Sequence, residues 1–354
     1  MRRNDLAAQV ARHRLHARLN GAVAALPEQP STPTYVVDLD AFDANAADLA
    51  RRAGGKPVRV ATKSLRVPAL IERALATTGF AGVLAYSLRE ALWLCEQGVS
   101  DDIVMGYPTV DLVGLERLTT SEAARTAVTL MVDDVRQLDL LDSVRPVGAS
   151  VRLALDVDAG LHVGPAHLGP KRSPLGDAAD AVELAREVER RDGLRLVGVM
   201  TYEGQVAGVP DEVPRHRFRS AAVRSVKKAS VAQLADRRAE IASALHEVAD
   251  LEFWNAGGSG SLETSAADPA VTELTAGSGL LVPGLFDHYR SFRPLPAAYF
   301  GLPVVRRPSG HVAAAGPAPD RPRGGRRGAD PVGRPRRLGP AGRRAGVVPA
   351  RQVR

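Results

Sequence analysis

The sequence predicts an α/β protein built as a (β/α)8 TIM barrel. Three observations carry that prediction. Between residues 34 and 307, short β-branched or apolar runs alternate with longer helix-forming stretches, and eight such strand–helix units follow one initial extra strand. The runs are predominantly apolar, as in parallel strands buried on both faces. No G-x-G-x-x-G follows the first strand, which an open dinucleotide-binding sheet would show.

Element by element, the extra strand is predicted at Tyr35–Leu39. Barrel strands follow at Val58–Thr62, Val83–Tyr86, Ile103–Met105, Val128–Val132, Val151–Asp156, Leu196–Thr201, Phe253–Asn255 and Val271–Thr275. Helices are predicted at Leu65–Thr77, Leu88–Gln97, Asp177–Arg191 and Val223–Val248. In the third of these, Ala181, Leu184, Ala185 and Val188 recur at helical spacing. Residues 1–30 read as an N-terminal helix and residues 31–290 as the barrel.

Composition limits the function classes. The chain has 354 residues, 45% of them hydrophobic and 4% aromatic, enough for a large buried core. Its lone Cys95 excludes an intramolecular disulfide and a Cys-rich zinc module, and points to a reducing, cytoplasmic setting. No window holds 18 apolar residues, so no membrane span is expected. Met1–Leu26 has arginines but no apolar core, so it does not read as a secretory signal.

The net charge of +7 invites a nucleic-acid reading, but its distribution opposes it. Residues 308–354 hold 11 Arg, 8 Pro, 9 Gly, 2 Asp and no Lys, a charge of +9. The preceding 307 residues therefore sum to −2. The basicity belongs to a tail without interleaved aromatics, and no nucleic-acid or membrane partner is expected.

Chemistry in such a barrel sits at the C-terminal ends of the strands. Lys63, one of just five lysines, stands at the end of Val58–Thr62. There an amine can form a Schiff base with a carbonyl cofactor, although an exposed strand-end lysine gives the same pattern. After the seventh barrel strand comes Asn255-Ala256-Gly257-Gly258-Ser259-Gly260-Ser261, and after the eighth Ala276-Gly277-Ser278-Gly279. Glycine backbones and serine hydroxyls at these two positions suit a phosphate. Met200-Thr201-Tyr202-Glu203-Gly204-Gln205 could orient a planar heterocycle, with Tyr202 as rim packing the alternative. Asp156-Val157-Asp158-Ala159-Gly160-Leu161-His162 offers two carboxylates and an imidazole for proton transfer, or a plain turn. A lysine, a phosphate cradle and a polar strand-end cluster together point to pyridoxal 5′-phosphate.

These residues resemble a known family. Thr32-Pro33-Thr34-Tyr35-Val36-Val37-Asp38-Leu39-Asp40-Ala41 and Arg59-Val60-Ala61-Thr62-Lys63-Ser64 look like the opening and lysine strand of fold type III pyridoxal-phosphate enzymes. The likeness is greatest to the alanine racemase N-terminal-like amino acid deaminases and aldolases, which are related to D-serine dehydratase and D-threonine aldolase. Gly82–Ser87, Tyr202–Gly208, Gly257–Thr264, Ala276–Leu280 and Leu285-Phe286-Asp287 fit the same pattern, so the resemblance spans residues 30–307. It implies that Lys63 holds the cofactor, that Gly257, Gly258, Ser259, Gly260, Ser261 and Gly279 bind its phosphate, and that Tyr202 contacts its ring. Within Asp158–Gly164 racemases carry an arginine where this chain has His162, which is assigned a catalytic role. The substrate implied is a small D-amino acid of the D-serine or D-threonine type. The reaction implied is deamination or aldol cleavage, with racemisation or non-catalytic cofactor binding as alternatives.

The relatives follow their barrel with a β-rich domain bearing a His/Cys metal site. Here residues 291–307 resemble its start, and the family pattern ends near residue 308. Beyond it stand His311, two Asp, no Cys and no tyrosine, so no metal is expected and a racemase would lack its facing tyrosine. Residues 308–354 are predicted to be disordered, either a genuine solvated basic tail or the product of a frameshift in a GC-rich gene, since Arg, Pro, Gly and Ala dominate there. A β-domain absent from the other reading frames would remove that idea. The activity is then expected to be impaired, and a homodimer is expected only for a chain with the β-domain intact.

Overall fold

The fold was taken from a computed structural model, which describes residues 3–214, 216–306, 313–314 and 346–349. The chain divides into two compact units. The larger comprises residues 43–281 and 285–294, the smaller residues 1–42, 282–284 and 295–354.

The larger unit is the expected barrel. With β1 at Thr34–Val37 outside it, its strands are β2 (Val58–Ala61), β3 (Phe80–Ala85), β4 (Ile103–Met105), β5 (Val128–Val132) and β6 (Val151–Val157). A hairpin of β7 (Leu161–Val163) and β8 (Ala166–Leu168) intervenes before β9 (Leu194–Thr201), β10 (Phe253–Ala256) and β11 (Glu273–Ala276). The eight barrel strands close in the order β2-β3-β4-β5-β6-β9-β10-β11, with β11 returning to β2. Leu274 lies beside Val58 and Ala276 beside Val60 in that closing parallel pair. All eight predicted strands are present. The last starts two residues later than predicted, because Val271 N–H donates to Asp268 C=O and closes a turn there.

Burial explains the apolar runs: every residue of β4, β5, β10 and β11 is buried. Gly198 on β9 makes room for the Phe253 ring, whose atoms would lie 2.2 Å from a Cβ at that position. A buried polar layer crosses the strands. Arg59 Nε and Nη2 donate to the two Glu273 carboxylate oxygens at 2.9 and 2.7 Å, and Nη1 to Asp102 at 2.8 Å. A bidentate pair of this kind keeps the buried guanidinium satisfied.

The helices begin where short polar side chains can accept the first free N–H groups. Ser87, Asp111, Ser121, Asp134 and Asp177 all do so. The stretch predicted as one helix from Leu65 to Thr77 is two, Thr62–Leu65 and Pro68–Leu75. Arg66 takes a left-handed φ of 51°, and Val67 is held extended by the proline after it. The first of these, a single turn, carries Lys63.

In the smaller unit a helix spans Arg3–Ala24, within the predicted residues 1–30. Its Leu15 and Leu19 pack with Val36 and Tyr299. Strand β1 pairs antiparallel with β12 (Ala298–Leu302), bringing the Tyr35 and Phe300 rings to 5.4 Å. Strand β13 (Val304–Arg306) pairs with β14 (Ala313–Ala314), and β12 pairs with β15 (Gly346–Pro349). The predicted disorder of residues 308–354 otherwise lies outside the described residues; those six form short strands instead, because neighbouring strands take up their backbone groups.

Candidate active site

A cavity of about 180 Å³ opens at the C-terminal ends of the barrel strands. Lys63 and Ser64 reach it from the turn after β2, Tyr86 from β3, Tyr107 from β4, Tyr202 from β9, and Gly257, Gly258 and Ser259 from β10. Gly277 and Ser278 follow from β11. Lys63, Tyr202, Gly257, Gly258 and Ser259 were all expected there from the sequence. Lys63 is solvent-exposed and its Nζ lies 3.5 Å from Tyr107 Oη. Tyr202 is mostly buried, which pushes its phenol above the ordinary range.

The glycine loop is fixed from behind. Gly257 has φ of +86°, a conformation that a side chain would strain. Its N–H faces Glu203 Oε2 at 3.4 Å, and Gly258 N–H donates to Ser261 Oγ at 3.1 Å. Those two donors are engaged inside the loop. The Ser259 and Gly260 N–H groups have no partner among the described residues, so Ser259 is the loop donor free at the cavity wall. Ser259 Oγ also accepts from Gly279 N–H at 2.8 Å, which stitches the two glycine-rich loops together.

Gly260, Ser261 and Gly279 do not line the cavity. Gly260 packs so closely on Ala207 that a Cβ would stand 2.2 Å from its carbonyl oxygen. Ser261 turns inward and donates to Glu203 Oε1 at 2.6 Å. Glu203 gathers four donors in all, with Ser265 Oγ at 2.6 Å and Arg238 Nη2 at 2.9 Å besides Ser261 and Gly257. Arg238 is held in turn by Asp268 and Thr201. Gly260, Ser261 and Gly279 thus shape the cradle, because their close contacts and hydrogen bonds run into the barrel.

His162 departs from its expected catalytic place and is not among the cavity residues. The chain after β6 folds outward as the β7–β8 hairpin. His162 stands on β7, its Nε2 3.3 Å from Asp158 Oδ2, beside His167 of β8.

The guanidinium in the cavity is Arg172, which sequence reasoning missed. It lies in the loop after β8, in no motif, and only the hairpin's path brings it inward. Arg172 Nη2 donates to Gly106 C=O at 2.6 Å and to Asp156 Oδ2 at 3.1 Å. Its Cζ stands 4.6 Å from the Tyr107 ring centroid and 5.6 Å from that of Tyr202. Burial raises the Asp156 carboxyl to about 6, against the opposing pull of Arg172. Asn255 and Thr275 complete the floor, Thr275 Oγ1 donating to Asn255 Oδ1 at 3.0 Å.

The donor set suits a phosphorylated aldehyde on an aromatic ring: one primary amine, glycine-rich loops with a serine N–H and hydroxyls, tyrosine faces and a fixed guanidinium. Among the described residues Lys63 is the lysine at this cavity.

Residues 37–282 match the sequence profile described as "Alanine racemase, N-terminal domain". Among solved structures, D-threonine aldolase from Filomicrobium marinum superposes with a TM-score of 0.68 at 25% identity, over 80% of this chain and 72% of that one. D-threo-3-hydroxyaspartate dehydratase from Delftia sp. HT23 gives 0.58 at 20% identity, over 78% and 68%. Alanine racemase from E. faecalis gives 0.57 at 17%, over 77% and 67%. No curated protein sequence matches the chain.

Proposed function

The chain belongs to the alanine racemase N-terminal domain family, the fold type III pyridoxal-phosphate enzymes, and on that premise we propose that it is a lyase acting on small D-amino acids with a β-hydroxyl. The observation that carries the proposal is Lys63 facing a cavity walled by Ser259, the glycine loops, Tyr202 and Arg172. The 25%-identical D-threonine aldolase supports a lyase over a racemase.

Lys63 would hold pyridoxal phosphate covalently through Nζ, and the Ser259 N–H and Ser278 hydroxyl would hold its phosphate. When bound, this cofactor supplies an electron sink for a pair of electrons left at the substrate Cα. Everything else falls to the protein. Arg172, held by Asp156 and Gly106, offers a fixed positive charge to an anionic group. Tyr202 presents a ring face, and the apolar wall of Ala61, Leu84, Ala85 and Met200 keeps water away. Lys63 Nζ, when not bonded to the cofactor, would be the base placed to take a proton from the substrate. In deamination the Cα proton leaves, the β-hydroxyl departs as water, and a later water releases ammonia and a 2-oxo acid. In aldol cleavage the Cα–Cβ bond breaks to glycine and an aldehyde.

The test is an absorbance scan of the protein with added cofactor, before and after borohydride, with Lys63→Ala beside it. An imine band at about 410–430 nm that borohydride removes is expected in the parent alone. No difference between the two proteins overturns the cofactor assignment. Release of 2-oxo acid or glycine from D-serine or D-threonine tests the lyase; a bound cofactor with neither product would leave a cofactor-binding barrel.

A further inference from the structure

The β7–β8 hairpin gathers three side chains that the reaction above does not use. Asp158, at the end of β6, is buried, while His162 and His167 face each other across the antiparallel pair. The His167 Nε2 lies 3.0 Å from both Asp158 oxygens, and the His162 Nε2 3.3 Å from Oδ2. The ligand atoms of all three fall within 4.8 Å of one another. Both imidazoles thus aim the nitrogen remote from their own backbone at one carboxylate.

We propose that Asp158, His162 and His167 form a binding site for a first-row transition-metal dication of the zinc type. Bonds of about 2.0–2.1 Å at tetrahedral angles put neighbouring ligand atoms roughly 3.3 Å apart, close to the two imidazole–carboxylate separations found here. Two imidazoles and one carboxylate favour zinc, cobalt or nickel over magnesium or calcium, which take oxygen ligands. The backbone is braced for the purpose. Gly160 N–H donates to Asp158 Oδ2 at 3.1 Å, and Gln233 bonds both the N–H and the C=O of His162, at 2.8 and 2.9 Å. His162 is half exposed, so the fourth position faces solvent, where a water or a small anion completes the shell.

Two features set the affinity below that of a closed structural zinc site. Arg237 holds the Asp158 and Gly160 carbonyls at 2.9 and 3.0 Å and adds positive charge nearby. His167 Nδ1 is buried without a hydrogen-bond partner, so its ring lacks the outer support that is worth roughly 10–100-fold in metal affinity. The ion's office is to clamp β7 to β8, and through them the loop that delivers Arg172. The site shares no residue with the cavity, so it stands or falls apart from the cofactor assignment. The lack of a C-terminal His/Cys pair, which argues against a metal there, leaves this hairpin untouched.

The experiment is a zinc titration of the tag-free, cofactor-loaded full chain after chelator treatment, read by calorimetry and by metal content after dialysis. One zinc per chain is expected, with a higher melting temperature in zinc than in chelator. His162→Ala and His167→Ala should each weaken binding by more than the roughly 10–100-fold cost of an outer-shell change. His162 is surface-placed, so its variant keeps the fold, and circular dichroism without metal checks both. Absence of binding to the parent, or unchanged affinity in His162→Ala, overturns the site.

Discussion

Glu203 is the residue whose replacement tests the architecture of the cradle most directly. Its buried carboxylate accepts from Ser261 Oγ, Ser265 Oγ, Arg238 Nη2 and, at the longest distance, Gly257 N–H. Glu203→Ala leaves these donors facing an empty space. Breaking one side of a buried ion pair costs about 3–5 kcal/mol. Arg238 keeps Asp268 and Thr201, which holds the expected loss toward the lower end. At roughly 2–4 °C per kcal/mol for a unit of this size, the melting temperature should fall by about 6–20 °C. Glu203→Gln retains an acceptor and the side-chain volume, so about half that loss is expected. Because the same carboxylate shapes the loop that presents the Ser259 N–H, cofactor affinity should fall in step with stability across the two variants. Denaturant titration gives the first quantity and cofactor titration by imine absorbance the second. A Glu203→Ala protein within about 0.5 kcal/mol of the parent, with unchanged cofactor affinity, would refute the reasoning, since that is the scatter of an ordinary surface substitution.

Asp156 predicts a pH dependence. Its folded-state carboxyl is raised from 3.8 to about 6, so the ionised form is disfavoured on folding. The associated stability is present below pH 3.8 and is lost as pH rises through 6, about 3 kcal/mol at 1.36 kcal/mol per pH unit. Asp156→Asn should therefore flatten the stability profile between pH 4 and 6; urea titrations over that range that keep the parent's slope would contradict it. Gly260→Ala places a Cβ 2.2 Å from the Ala207 carbonyl oxygen and 2.8 Å from the Tyr289 ring, and about 1–3 kcal/mol of destabilisation is expected by thermal melt. Gly21→Ala is the converse: an exposed helical glycine with nothing within 4 Å of its Cβ, where a gain of about 0.5–1 kcal/mol is expected in the same assay.

Much of this was legible beforehand for identifiable reasons. The barrel strands showed because a strand covered on both faces must be largely apolar, as Val128, Leu130, Met131 and Val132 are. Lys63 showed because lysine is scarce in this chain, and the 257–261 loop because glycine and serine concentrate there at a strand end. The break at Arg66 and Val67 is written locally in Pro68, which holds the residue before it out of the helix. Arg172 left no such trace. It lies in a loop with no periodicity, and its place depends on a hairpin whose two strands are only three residues each.

The sequence by itself determined the barrel, its strand order and the two loops at the mouth, because local apolar patterning and turn chemistry act over a few residues. It also determined that the charge lies in a tail and that the body is nearly neutral. Only the tertiary structure decided which donors face the cavity. Gly257 and Gly258 lie in the cradle but turn their N–H groups to Glu203 and Ser261, while His162 swings out beside His167 and Arg172 swings in. Those outcomes rest on contacts between residues far apart in the chain, such as Arg238 with Glu203 and Arg172 with Gly106, which local patterning does not encode.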